Sequence, residues 1–264
     1  MLGAIIGDVV GSIYEFHNIK SKDFAFFGIG CKYTDDTVMT VAVADALLTS
    51  GTENTDAFKS VLVDKMHYHT RRHLLCGFGS RFSSWVLRGK RDPYNSLGNG
   101  SAMRVSPVAY CASTLDDVLC LAKASAEVTH NHPDGIKGAE AIAGLIFLAR
   151  IGKSKSELKA FAQKYFDLSF TLDSIRPTYT YDMTTQGSVP HSIVAFLESE
   201  SFEDAIRNAV SIGGDSDTIA AITGSIAEAY YGIDDALKQK ALEYLDDDFK
   251  SILLAFQETH TTPQ

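Results

Sequence analysis

The sequence predicts an all-α protein, one domain over residues 1–264 built from about ten helices. Three observations lead there. No stretch shows sustained apolar and polar alternation bounded by hairpin turns. Apolar residues recur instead at helical spacing in segment after segment, most of them opened by Asp, Asn, Ser or Thr. No linker, internal repeat or low-complexity stretch divides the chain.

The segment up to Phe16 is apolar, carries three glycines and reads as buried, with Asp8 inside it and Glu15 near its end. His17 to Lys32 is mixed and glycine-bearing, a surface loop. Helices are predicted from Asp36 to about Ser50 and from Asp56 to about Arg71, the second turning Val61, Val63 and Met66 inward. His67, His69 and His73 lie on or after it. His69 and His73 have the spacing of some zinc sites, but the Glu of an HExxH motif is missing, so a solvated face is expected. Gly77 to Trp85 is a glycine turn entering an amphipathic segment. Asn95 to Arg104 is rich in Gly, Asn and Ser and resembles an anion-binding turn at a helix N-terminus, without the Lys-Ser/Thr of a P-loop.

Leu115 to Val128 is the next predicted helix, with Leu119, Leu121 and Ala122 inward. Thr129-His-Asn-His-Pro-Asp-Gly135 interrupts the pattern before a long apolar helix from Ile136 to about Ile151. Ser154 to about Tyr165 is helical. Thr171 to Gln186 is polar and aromatic, the best candidate for a long functional loop. Helices return at Val189–Glu198, Phe202–Ser211, Ile219–Tyr230, Asp234 to about Leu245 and Asp247 to about Glu258, before a polar tail.

Hydrophobic residues make up 45% and charged residues 22%, which suits a soluble protein with a sizeable core. A formal charge of −9 argues against stable nucleic-acid binding. No apolar run has transmembrane length. The N-terminus lacks the basic region of a signal peptide. Cys31, Cys76, Cys111 and Cys120 show no CxxC spacing, so free thiols in a reducing cytoplasm are expected. The chain is expected to act as a monomer.

Chemistry concentrates in two acidic turns. Gly213-Gly-Asp-Ser-Asp-Thr218 precedes a helix full of small side chains, and Thr34-Asp-Asp-Thr37 precedes a second apolar helix. Capping a helix takes one side-chain oxygen, not a pair of carboxylates. If the turns meet, Asp35, Asp36, Asp215 and Asp217 bring four negative charges together, which two divalent cations would neutralise. Hard oxygen ligands suit Mg2+ or Mn2+.

Five ordered blocks resemble the ADP-ribosylglycohydrolase family: Gly3-Ala-Ile-Ile-Gly-Asp-Val-Val-Gly-Ser-Ile-Tyr-Glu-Phe16, Tyr33-Thr-Asp-Asp-Thr-Val38, Gly98-Asn-Gly-Ser-Ala-Met-Arg104, Thr129-His-Asn-His-Pro133 and Ser211-Ile-Gly-Gly-Asp-Ser-Asp-Thr218. The resemblance implies a compact orthogonal helical bundle and a metal-dependent hydrolase that cuts the bond between C1″ of ADP-ribose and its acceptor. It implies that Thr34, Asp35, Asp36, Asp215, Asp217 and Thr218 hold two Mg2+ or Mn2+ ions. Asp35, Asp36 and Asp217 would then serve catalysis through the metals, and Glu15 would transfer the proton. Asn99, Gly100, Ser101 and Met103 would cradle the diphosphate, and His130 or His132 would touch the ADP-ribose, His130 being preferred. Gly77 and Gly79 would line the same cleft. The partner implied is an ADP-ribosylated protein or other conjugate. His17–Lys32 and 171–186 match no motif, so acceptor choice among arginine, serine or a nucleobase stays open. Two other readings are a non-catalytic ADP-ribose-binding module and a two-metal phosphoesterase. The second calls for basic residues beside the acids, where only Lys32 and Arg104 stand.

Overall fold

The computed structural model describes residues 1–260. Among these the chain forms fourteen α-helices and no β-strand, with one isolated antiparallel bridge between Gly98 and Thr184. In order they are α1 (Leu2–Gly11), α2 (Asp35–Ser50), α3 (Thr55–Arg72), α4 (Ser80–Leu87) and α5 (Gly100–Met103). Then come α6 (Leu115–Glu127), α7 (Pro133–Arg150), α8 (Lys155–Ala162), α9 (Leu172–Ile175) and α10 (Thr185–Leu197). The last are α11 (Phe202–Ser211), α12 (Ser216–Tyr231), α13 (Asp235–Leu242) and α14 (Asp247–His260).

α12 is the axis of the molecule. It is buried at every position from Ser216 to Ala227 and packs against α1, α7, α10 and α11, with α2 and α5 also touching it. Its small side chains make this crowding possible. α1 lies closest and runs antiparallel, setting Gly3, Gly7 and Gly11 against Gly224, Ala220 and Ser216–Asp217. A glycine costs a helix interior about 1 kcal/mol relative to alanine. Here that loss is offset by backbone packing that no Cβ would permit. The three glycines are also why α1 reads from sequence only as a buried segment. The antiparallel pairing brings the C-terminal end of α1, with Asp8, to the N-terminal end of α12, with Asp217.

The predicted helices are present with ends shifted by a few residues, apart from three differences. α10 starts at Thr185, inside the predicted loop, because Thr184 caps it through the Gly187 N–H, and Pro190 lies within the helix. Thr171 nucleates the one-turn α9, which shortens the loop further. On α6 it is Val118 that turns fully inward, whereas Leu119 is half-buried.

The histidines of α3 do not form a solvated face. His67 and His69 are buried. His69 Nε2 lies 2.8 Å from Asp45 Oδ2, and His67 meets Trp85 edge-on at 4.5 Å. His73 packs on Phe249 and pairs with Asp246 at 3.1 Å. A period-3.6 pattern undercounts such a helix because an imidazole counted as polar can be buried, His69 through its pairing with Asp45 and His67 through packing on Trp85. All four cysteines are free thiols, as expected. Among the described residues no helix is long and apolar enough to cross a membrane. The predicted polar tail beyond His260 lies outside the described residues.

Candidate active site

The two acidic turns meet. Asp35 and Asp36 open α2, Asp215 and Asp217 open α12, and all four line one cleft of about 400 Å³. Gly213 and Gly214 have φ of 71° and 79°, the left-handed conformation that carries the chain from α11 into α12. Thr34 is the N-cap of α2, its hydroxyl 3.4 Å from the Asp36 N–H, and Thr218 Oγ1 donates to Asp36 Oδ2 at 3.1 Å.

Asp8 holds this end of the molecule together. Its carboxylate accepts from the N–H of Thr34 (2.9 Å) and of Thr37 (3.0 Å), and from both hydroxyls. It therefore serves the open N–H groups at the head of α2, where a negative charge is also favoured by the helix dipole. Sequence reading noted Asp8 without assigning it a role. The available signal was a carboxylate inside an otherwise apolar segment, since buried acids are rare without partners.

Carboxylate oxygens gather here in two groups of three, each within 4.8 Å: Asp8 with Asp36 and Asp217, and Glu15 with Asp215 and Asp217. Asp217 belongs to both. Asp35 joins neither group; its Oδ1 lies beside Gly77, and its N–H donates to the Cys76 carbonyl at 2.7 Å. All six acids are held above the ordinary carboxylate range, by burial first. Asp35 is pushed up to about 8, with Asp8 and Asp215 adding to the effect of burial. Glu15 is pushed up to about 7 by burial and by Asp215, against a hydrogen bond from Tyr181 that lowers it. Asp36 and Asp217 are raised well above the ordinary value. Asp36 Oδ1 is buried with no hydrogen-bond partner. An orphaned carboxylate oxygen among like charges fits a cation, and the all-oxygen donor set fits a hard one.

The rest of the cleft is aromatic and cationic. Phe82, Tyr94 and His130 line it, with the Arg81 guanidinium 4.9 Å from the centre of the Tyr94 ring. His130 is held well below its ordinary pKa by burial and by Arg104 and Arg81, which keeps the ring neutral. Its Nδ1 lies 2.7 Å from Thr129 Oγ1, which also accepts from Arg104 at 3.0 Å. Cε1 and Nε2 lie beside Gly100, closely enough that a Cβ there would sit 3.1 Å from both. Arg104 reaches the Gly100 and Ser125 carbonyls and Thr129, not the acids.

The sequence model of the family described as ADP-ribosylglycohydrolase matches residues 1–262. The chain belongs to the ADP-ribosylglycohydrolase family. It is 27% identical to the ADP-ribosylhydrolase ARH3 of Homo sapiens, over 89% of this chain and 85% of that protein. It is 26% identical to the ADP-ribosylarginine hydrolase Tri1 of Pseudomonas putida (strain GB-1), over 88% of this chain and 70% of that protein. Its fold is like that of a solved structure titled "ADP-ribosylglycohydrolase-related protein complex", with a TM-score of 0.69 at 24% identity, covering 97% of this chain and 96% of that one.

Of the residues the family pattern singles out, Glu15, Gly77, Gly79, Asn99, Gly100, Met103, His130 and Thr218 line the cleft with the four acids. Thr34, Ser101 and His132 do not. The Thr34 hydroxyl lies behind the acids and donates to Asp8 at 2.7 Å. Ser101 is fully buried, its hydroxyl given to the Gly135 carbonyl. His132 caps α7, accepting from the Asp134 N–H at 3.1 Å. The Asn99 amide donates to Asp215 Oδ2 at 2.7 Å and to Ser188 at 3.0 Å, and its N–H donates to Met183. Asn99 therefore steadies an acid.

Proposed function

We propose that the protein is a hydrolase that frees ADP-ribose from an acceptor by cutting the C1″ glycosidic bond, with two divalent cations, Mg2+ or Mn2+, held among its acids. The observation that carries this reading is Asp217, shared by two groups of carboxylates in a cleft that Phe82, Tyr94 and Arg81 also line. Asp36 and Asp217, with Asp8 behind them, would hold one cation; Asp215 and Asp217 would hold the other, with Asp35 and Thr218 completing the oxygens and Thr34 acting only through its bond to Asp8. Bound there, such ions supply positive charge that orients the ribose hydroxyls and acidifies a neighbouring hydroxyl or water.

The chain's own groups account for the rest. Tyr94, Phe82 and the flat Arg81 guanidinium suit an adenine ring. Gly100 opens α5 and lines the cleft beside the neutral His130, and its N–H, which lacks an intrahelical acceptor, would be a donor for a diphosphate. The distal ribose would then lie among the carboxylates, which favour oxocarbenium character at C1″. As the C1″–acceptor bond breaks, its electron pair leaves with the acceptor. Glu15, which lines the cleft beside Asp215 and Asp217, would pass a proton there and take one back from the water that adds at C1″.

The test is incubation with Mg2+ or Mn2+ and ADP-ribosylated arginine, serine and nucleobase conjugates, with free ADP-ribose as the readout. Metal-dependent release from one of them is expected. ADP-ribose binding without turnover on any would refute the hydrolase and leave a binding module.

A further inference from the structure

Asn18 is an exposed residue whose side-chain amide is spent entirely on backbone. Its Nδ2 lies 2.6 Å from the Tyr14 carbonyl, 2.9 Å from the Glu15 carbonyl and 2.9 Å from the Gly214 carbonyl, while its Oδ1 accepts from the Gly214 N–H at 2.8 Å. Two segments 196 residues apart are thus joined through one side chain. One carries Glu15. The other ends in Gly214, the residue before Asp215. Nearby, Lys20 donates to the Ile212 and Tyr179 carbonyls, and Tyr179 closes the far side of the Gly213–Gly214 turn.

We propose that Asn18 is a positioning residue: it pairs the Glu15 turn with the Gly214 turn and so sets the Glu15–Asp215–Asp217 group without touching ligand. The pairing with Gly214 needs a donor and an acceptor on one planar group, which an amide provides and a carboxylate does not. Asn18 makes no hydrogen bond to Asp8, Asp36 or α2. Asp217, the acid common to both carboxylate groups, lies on α12 against Gly11 of α1, so Asn18 bears on Glu15 and Asp215, the members that belong to one group alone. This inference rests on the two-cation reading above.

Asn18→Asp keeps the shape and the acceptor but sets a carboxylate against three carbonyls; Asn18→Ala removes both functions. Because the side chain lies at the surface, both variants are expected to melt within a few degrees of wild type. Mn2+ titration by calorimetry should show one of two dissociation constants raised about 10–100-fold and the other unchanged, the usual scale for losing a group that orients a metal ligand. With a conjugate that wild type hydrolyses, kcat should fall by a similar factor while KM stays within about twofold, as expected for misplaced reacting groups. Wild-type affinities at both sites would overturn the proposal. So would equal weakening of both sites accompanied by a large drop in melting temperature, which marks a merely structural role. If wild type binds two Mn2+ ions yet releases no ADP-ribose from any conjugate, the hydrolase reading fails while the Mn2+ affinities still decide the role of Asn18.

Discussion

Gly11→Ala tests how the α1–α12 contact places the shared acid. A Cβ on Gly11 would sit 2.5 Å from the Ser216 carbonyl oxygen, 2.6 Å from Asp217 Cα and 2.8 Å from the Asp217 nitrogen. All three are backbone atoms, so no rotamer change relieves the clash. Reaching ordinary contact at 3.4 Å requires the helices to part by 3.4 − 2.6 = 0.8 Å at Asp217 Cα. Overpacking of this kind costs about 1–3 kcal/mol. Alanine's helix preference returns about 1 kcal/mol at most in a helix interior, and less at this last turn. The net expectation is a loss of about 1–2 kcal/mol. Function should suffer more, because a misplacement near 1 Å in an active site is worth about 100-fold. Urea titration measures the first effect, and metal-dependent ADP-ribose release with Mn2+ calorimetry measures the second. Gly79→Ala is the stability control, since nothing lies within 4 Å of its Cβ and φ is −55°. Wild-type stability and wild-type turnover in Gly11→Ala would refute the reasoning.

Three further outcomes are expected. Asp8→Asn removes the charge and replaces one of the two oxygens that accept from Thr34 and Thr37 with an NH2 group, so urea titration should show about 1–3 kcal/mol of lost stability, with weaker Mn2+ binding; unchanged stability would show that Asp8 does not organise the head of α2. Glu15→Gln should leave two Mn2+ ions bound but lower kcat by about 100-fold or more, and a normal rate with normal loading would remove Glu15 from proton transfer. The third concerns pH. Asp35 and Glu15 sit at about 8 and about 7 when folded, above the unfolded carboxylate range near 4. The folded metal-free protein therefore holds extra protons between about pH 4 and 8, and loses stability as pH rises through that window. Cation binding needs the deprotonated form, so Mg2+ should raise the melting temperature more at about pH 8 than at about pH 5.5. A gain that is equal at both, or larger in acid, would contradict this.

Much of the site was legible because its acids sit in short local patterns. Asp35-Asp36 and Asp215-Ser216-Asp217 each stand at the mouth of an apolar helix, and more carboxylates than a cap requires need another use. The glycine pair before Asp215 announced its positive φ. What stayed hidden depends on contacts between segments far apart in sequence. Asp8 looks like one stray acid until the head of α2 is seen to rest on it. Asn18 looks like one polar residue in a loop until Gly214 comes beside it. α1 was obscured because three glycines lower helix propensity, and only the backbone of α12 explains them. His67 and His69 read as solvated because pairing with Asp45 and packing on Trp85 leave no periodic signal. Asn99 shows the same limit: the motif fixes that it lines the cleft, but only the Asp215 contact shows what its amide does.

The most direct measurement is the Mn2+ stoichiometry of wild type and Asp217→Asn, read by calorimetry alongside ADP-ribose release from a conjugate that wild type hydrolyses. If one carboxylate serves both cations, wild type should bind two ions and turn over, whereas Asp217→Asn should lose tight binding of both and all turnover while remaining folded and helical by circular dichroism. Two ions held with wild-type affinity in Asp217→Asn would contradict the shared-acid account.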